Sequence, residues 1–179
     1  MSVATLHTIG HSTRTLDELV AALAAHNVRT LVDIRAFPMS RRLPHFNREL
    51  LESELPKHGI AYVWMKELGG RRRKMLEHSP NTGLRNDGFR NYADYMLTDE
   101  FAAAVERLLR IANDSNTAIL CAERMYFQCH RMLVSDYLTA HGHIVLHIED
   151  DQRPLRAHKM LPEARLVDGK LLYNAQQLF

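Results

Sequence analysis

Two thiols, Cys121 and Cys129, fall within one stretch of the 179-residue chain, Thr117–Ala140, which reads TAILCAERMYFQCHRMLVSDYLTA. Glu123, His130 and Arg131 lie among them. A cysteine near the first turn of a helix is stabilised as thiolate by the free amides and dipole there, and Arg131 acts in the same direction. Cys129 is therefore the candidate nucleophile or sulfur carrier, set against the plainer reading of a small buried apolar side chain. Cys121, at the end of an apolar run, reads as packing. The spacing of the pair is not the CxxC of dithiol enzymes. His130 and Arg131 suit an anion, because helix-start amides and a guanidinium both donate to phosphate or carboxylate oxygens. Arg131 could equally pair with Glu123 or Asp33. Glu123 is a candidate general base, or else an anchor for an arginine.

The ligand atoms of His7, His11, Cys121, Glu123, Cys129 and His130 could in number satisfy zinc. Their spacing matches no familiar pattern, however, and adjacent Cys129 and His130 on one helix could not easily both face an ion. No metal site is expected. The run Arg71-Arg72-Arg73-Lys74, with Arg41-Arg42, Arg85 and Arg90, is the strongest basic signal. A solvated loop is its usual meaning; the functional one is a phosphate-bearing partner, with Tyr62, Trp64, Phe37 and Tyr126 as a stacking face. The acidic Glu149-Asp150-Asp151 and a net charge of only +2 argue against a nucleic-acid footprint on charge alone.

These residues need a scaffold, and the apolar patterning supplies an alternating one. Short apolar strands are expected at Leu6–Ile9, Thr30–Ile34, Ile60–Met65, Thr117–Ala122 and His143–Ile148. Helices are expected from the Thr15-Leu16-Asp17-Glu18 capping box to about Asn27, from Asn47 as cap to His58, over Phe89–Leu97, from Thr98 to about Ala112, and from about Gln128 to Ala140. Arg71–Gly88 has no periodicity and reads as a long loop. Val167-Asp168-Gly169-Lys170 reads as the turn of a hairpin within Leu166–Tyr173. The result is a single α/β domain over residues 1–179: a three-layer, Rossmann-like fold with a mostly parallel sheet of about five strands and a small C-terminal hairpin. Taken with a 3-2-1-4-5 strand order, the exits Gly10–Arg14, Asp33–Arg35, Lys66–Gly70 and Cys121–Arg131 share the rim where open α/β sheets bind ligands.

Composition is that of a globular protein, 46% hydrophobic and 25% charged. No apolar run approaches the ~18 residues of a membrane span, and MSVATLHTIGHS does not look like a secretory signal. A cytoplasmic location is the default, with no membrane partner expected.

Several stretches together resemble the bacterial and archaeal family catalogued as domain of unknown function 488: TIGHSTRT at 8–15, VDIRAFPMSRRLPHFN at 32–47, ELGGRRR at 67–73 and LCAERMYFQCHR at 120–131, with GFRNYADYM at 88–96 and HIVLHI at 143–148. The residues that match the family's set are Gly10, His11, Ser12, Asp33, Arg35, Gly70, Glu123, Cys129, His130 and Arg131. The resemblance brings no settled activity and no cofactor with it.

Two expectations follow. One is an enzyme acting on a phosphate- or carboxylate-bearing small molecule, a nucleotide among the candidates. In it Arg14, Arg35 and Arg131 grip the anion, Cys129 is the thiol, and Glu123 or His11 handles protons; Gly10, Ser12, Asp33, Gly70 and His130 complete the rim. The other is a non-catalytic nucleic-acid-binding module that uses the basic loop 71–90.

Overall fold

The computed structural model describes residues 2–174. Strand β1 (Thr5–Gly10) is buried from Leu6 onward. The capping box then starts α1 (Leu16–Ala25): the Glu18 amide donates to Thr15 Oγ1 and the Thr15 amide to the Glu18 carboxylate. Isolated helices this short are marginal. Burying Leu19 and Leu23 contributes roughly 1.5–3 kcal/mol apiece, so it is mainly packing that holds α1.

After β2 (Thr30–Asp33), helix α2 (Arg48–Glu54) continues into a 3-10 turn, Leu55–His58, at Pro56, and Gly59 ends it with φ +73°. Asn47 precedes α2 but its side chain does not cap it. The Asn47 Oδ1 instead accepts from the Ser40 amide at 2.6 Å and ties down the preceding loop. Strand β3 (Ala61–Trp64) leads to a long connection, then α3 (Asp87–Tyr95) and α4 (Asp99–Asp114), the latter capped by Thr98 as expected. Next come β4 (Thr117–Cys121), α5 (Arg131–Ala140) and β5 (Ile144–His147), then a two-residue strand β6 (Arg156–Ala157).

Among the described residues the main sheet has the order β3-β2-β4-β1-β5-β6, with the first five parallel and β6 antiparallel at the edge. The α/β class, the mostly parallel sheet and the C-terminal hairpin are as read from sequence. The order is not: β4, not β1, lies beside β2. Every residue of β2 and β4 is buried, as is nearly all of β1. Central strands of this kind look alike in sequence, and hydropathy cannot rank them.

Alternation along the strands feeds two cores. Leu31, Ala118 and Leu120 pack with α1 and α2 through Leu19, Leu23 and Leu51; Val32 and Ile119 pack on the other face with Phe101, Leu108 and Leu133 of α4 and α5. The hairpin of β7 (Ala164–Val167) and β8 (Lys170–Tyr173) turns at Asp168 and Gly169, both at positive φ, as a type I′ turn needs. It also pins the aperiodic loop, since the Tyr173 amide donates to Asn81 Oδ1 and the Gly83 amide to Tyr173 O. Among the described residues no helix is long and apolar enough to cross a membrane.

Candidate active site at the carboxyl ends of the central strands

The register places Gly10 opposite Cys121 and Asp33 opposite Leu120, so three strand exits leave side by side. Two of them are fastened together: His11 and Ser12 donate their amides to Cys121 O and Ala122 O, each at 2.9 Å. The approach is close enough to demand glycine at position 10, because a Cβ there would lie 1.7 Å from Glu123 O.

The three rim arginines are already engaged. Arg35 makes a forked pair with Asp33, with Nε at 2.9 Å from Oδ1 and Nη2 at 2.5 Å from Oδ2, and also donates to Phe46 O. Tyr62 donates to the same Asp33 carboxylate. Arg14 donates to Gly10 O and Glu149 O. Arg131 is 1% exposed and spends its donors on Thr8 Oγ1, Glu123 O, Arg124 O and Cys129 Sγ. An anion grip by these three was expected, but their geometry is that of struts that lock the rim loops. His11 is likewise built in: it stacks on Phe46 at 4.3 Å, and its Nδ1 donates to Ser12 O. Burial drives its pKa down to about 4. The half-buried Ser12 turns the chain at φ +48°.

Helix α5 begins at Arg131, later than the periodicity suggests. A 3-10 turn, Tyr126–Gln128, precedes it, and Cys129 is extended with φ −142° and ψ 176°. Cys129 therefore lies ahead of the helix, not within its first turn, and this removes the objection to Cys129 and His130 facing one point. They do face one point, and Cys121 joins them. The two sulfurs and a ring nitrogen of His130 lie within 4.8 Å of one another, and all three residues are buried. His130 Nε2 donates to Ile34 O at 2.9 Å, which leaves Nδ1 unprotonated, 3.8 Å from Cys121 Sγ. Gly70 makes room for the ring, since a Cβ there would lie 2.3 Å from Nδ1.

The pair shares charge unevenly. The Cys129 thiol, Arg131 and the Ala122 and Glu123 amides, acting against burial, bring Cys121 down to about 7; Cys129 is pushed up because Cys121 ionises first. From sequence alone Cys121 reads as packing. The signal available was its place as the last residue of a strand at the ligand-binding edge.

The cluster forms the floor of a cleft of about 530 Å³ whose walls include Arg35, Phe37, Gly70, Arg71, Phe89 and the exposed Glu123. A cavity of about 650 Å³ lies instead beneath the loop, lined by His78, Ser79 and Asp94 among others. There Asp94 is already held by Ser79 and Asn81, so the reactive side chains collect in the first cleft.

Fold and site together define an α/β protein that presents a thiol–imidazole cluster at the carboxyl edge of its parallel sheet. The sequence profile described as "Domain of unknown function DUF488" matches residues 15–138, and the chain belongs to that family. The matched stretch holds Asp33, Arg35, Gly70, Cys121, Glu123, Cys129, His130 and Arg131; Gly10, His11 and Ser12 precede it. Neither the curated proteins nor the solved structures gave a match.

Proposed function

We propose that this chain is an enzyme acting on a phosphate- or carboxylate-bearing small molecule in the 530 Å³ cleft, with Cys121, Cys129 and His130 as its reactive centre. The observation that carries the reading is the convergence of those three side chains on the cleft floor, from the end of β4 and the segment just ahead of α5, which Arg131 ties together through Glu123 O and Arg124 O. Glu123, exposed on the same wall, takes the proton-handling role. With Arg14, Arg35 and Arg131 acting as struts, the anion contact passes to Arg71, which is exposed at the cleft mouth with its guanidinium 5.8 Å above the Phe37 ring. Phe37, 70% exposed, offers the substrate an apolar or aromatic face.

Nucleic-acid binding through loop 71–90 has less behind it. Arg72 is folded back on Gly69 O and Glu67 O and lies 3.5 Å over Tyr95; Arg90 is held by Leu84 O. That thins the basic surface to Arg71, Arg73, Lys74 and Arg85. A thermal-shift panel of nucleotides, sugar phosphates and dicarboxylates tests the enzyme reading. A ligand at 100 times its Kd adds about 2.7 kcal/mol of apparent stability. A shift abolished by Arg71→Glu and by Phe37→Ala is the expected result. A panel with no stabilising compound, beside salt-sensitive binding of single-stranded oligonucleotides, would replace it with the nucleic-acid reading.

A further inference from the structure

We infer that Cys121 Sγ, Cys129 Sγ and His130 Nδ1 form a mononuclear site for a thiophilic divalent cation of the zinc type, with its fourth position open to the cleft. The inference deepens the reading of the cluster as reactive centre and rests on it for the use of that open position. Two thiolates and one imidazole are a donor set that selects zinc-like ions over magnesium or calcium. Zinc–sulfur and zinc–nitrogen lengths near 2.3 and 2.0 Å in a tetrahedron imply donor–donor edges of roughly 3.5–3.8 Å. Cys121 Sγ and His130 Nδ1 are already 3.8 Å apart, and the whole set lies within 4.8 Å, so closure on an ion requires about an ångström of contraction at most.

The surroundings are those a ligated ion needs. His130 donates its other nitrogen to the Ile34 carbonyl, which fixes the ring and presents a free lone pair at Nδ1. The Arg131 Nε, 3.3 Å from Cys129 Sγ, donates to one sulfur, and the amides of Ala122 and Glu123 lie at the other. Each favours thiolate over thiol. Three protein ligands with a fourth side facing a cleft is the pattern of a catalytic site; structural sites close with four.

The test uses the full chain, reduced, stripped with a chelator and titrated with Co(II), then Zn(II). One equivalent of cobalt per chain, with a thiolate-to-metal charge-transfer band that zinc abolishes, is the expected result. One equivalent of zinc should also slow alkylation of both Cys121 and Cys129, mapped by peptide mass. Cys121→Ser, Cys129→Ser and His130→Ala should each weaken cobalt binding by at least about tenfold, the lower end of what even outer partners cost. Because a variant could fail to fold, the wild-type band and the alkylation map decide the matter without them. No charge-transfer band from a fully reduced chain would overturn the inference. So would a Cys121–Cys129 disulfide that takes up no metal after reduction, or alkylation rates unchanged by zinc. Metal bound without any anion stabilising the protein would remove the proposed substrate class and leave the metal site standing. Anion binding by a chain that takes no metal would do the reverse.

Discussion

Two buried polar clusters share Arg131, and they are built to opposite standards. On one side of its guanidinium runs a chain with every partner matched: Nη1 donates to Thr8 Oγ1 at 3.2 Å, and Thr8 contacts His147 Nδ1 at 2.7 Å. His147 Nε2 meets His158 Nδ1 at 2.9 Å, and His158 Nε2 meets Asp136 at 2.7 Å. The Asp136 carboxylate is the final acceptor and takes the His158 Nε2–H, while burial keeps His147 from gaining a second proton. Tyr173 and the Leu161 amide complete that carboxylate. On the other side of Arg131, the sulfurs and the His130 nitrogen stand at 3.3–3.8 Å, loosely satisfied, and they border a cleft. Full satisfaction makes a network rigid. The under-satisfied cluster is the one left able to bind or react.

The largest effect should come from breaking a matched pair. Asp33→Ala strands the buried Arg35 guanidinium and removes the acceptor of Tyr62, and loss of one partner of a buried ion pair costs about 3–5 kcal/mol. A denaturant midpoint that moves by less than a fifth of that would mean that Arg35 is stabilised mainly by Phe46 O and other contacts, and the strut description would fail.

The matched chain should also make stability depend on pH. Both His147 nitrogens are engaged, one with Thr8 Oγ1 and the other with His158 Nδ1; its ring stacks on Tyr126 at 3.6 Å, and Arg131 and Arg156 lie near it, so its surroundings oppose a second proton. Burial first, then His158, pushes its pKa down to about 3. An unfolded histidine titrates near 6.5, so the native state holds fewer protons below that pH. The contribution is complete above about 6.5 and is lost as pH falls toward 3. Between pH 7.5 and 5.0 this amounts to about 2 kcal/mol. Urea unfolding at the two values should show that loss, reduced by about the same amount in His147→Gln.

Much of the scaffold behind this contrast could be read from sequence, for local reasons. The Thr15–Glu18 box and the Asp168-Gly169 turn are decided by residues within a few positions of one another. The strands could be read because their apolar runs are uninterrupted. What could not be read depends on contacts across the chain. Asn47 spends its side chain on Ser40, so a good cap residue does not cap. Arg131 looks like an anion ligand until its partners, Thr8 and Glu123, are seen to occupy it. Helix α5 starts at Arg131, not at about Gln128, so Cys129 lies ahead of it, beside His130 and Cys121.

The loosely held cluster should tolerate change that the matched chain does not. Cys121→Ser replaces a buried thiol by a more polar hydroxyl and should cost about 1 kcal/mol of stability. The same change should weaken cobalt binding and diminish the charge-transfer band, because Cys129 alone is left to contribute it. A loss of stability as large as that of Asp33→Ala would make Cys121 a packing residue after all.

The smallest effect on folding should come at the cleft mouth. Arg71 is exposed, and apart from its stack over Phe37 it is not part of either cluster. Arg71→Ala should therefore leave the unfolding midpoint within about 0.5 kcal/mol of wild type. Whatever anion stabilises the protein should bind the variant more weakly, and the deficit should narrow as salt is raised, because a solvent-facing charge is screened within a Debye length of roughly 8 Å at physiological ionic strength. A deficit that persists at high salt would mean that Arg71 contributes through its contact with Phe37, making the apolar face of the cleft, not its charge, the feature that selects the ligand.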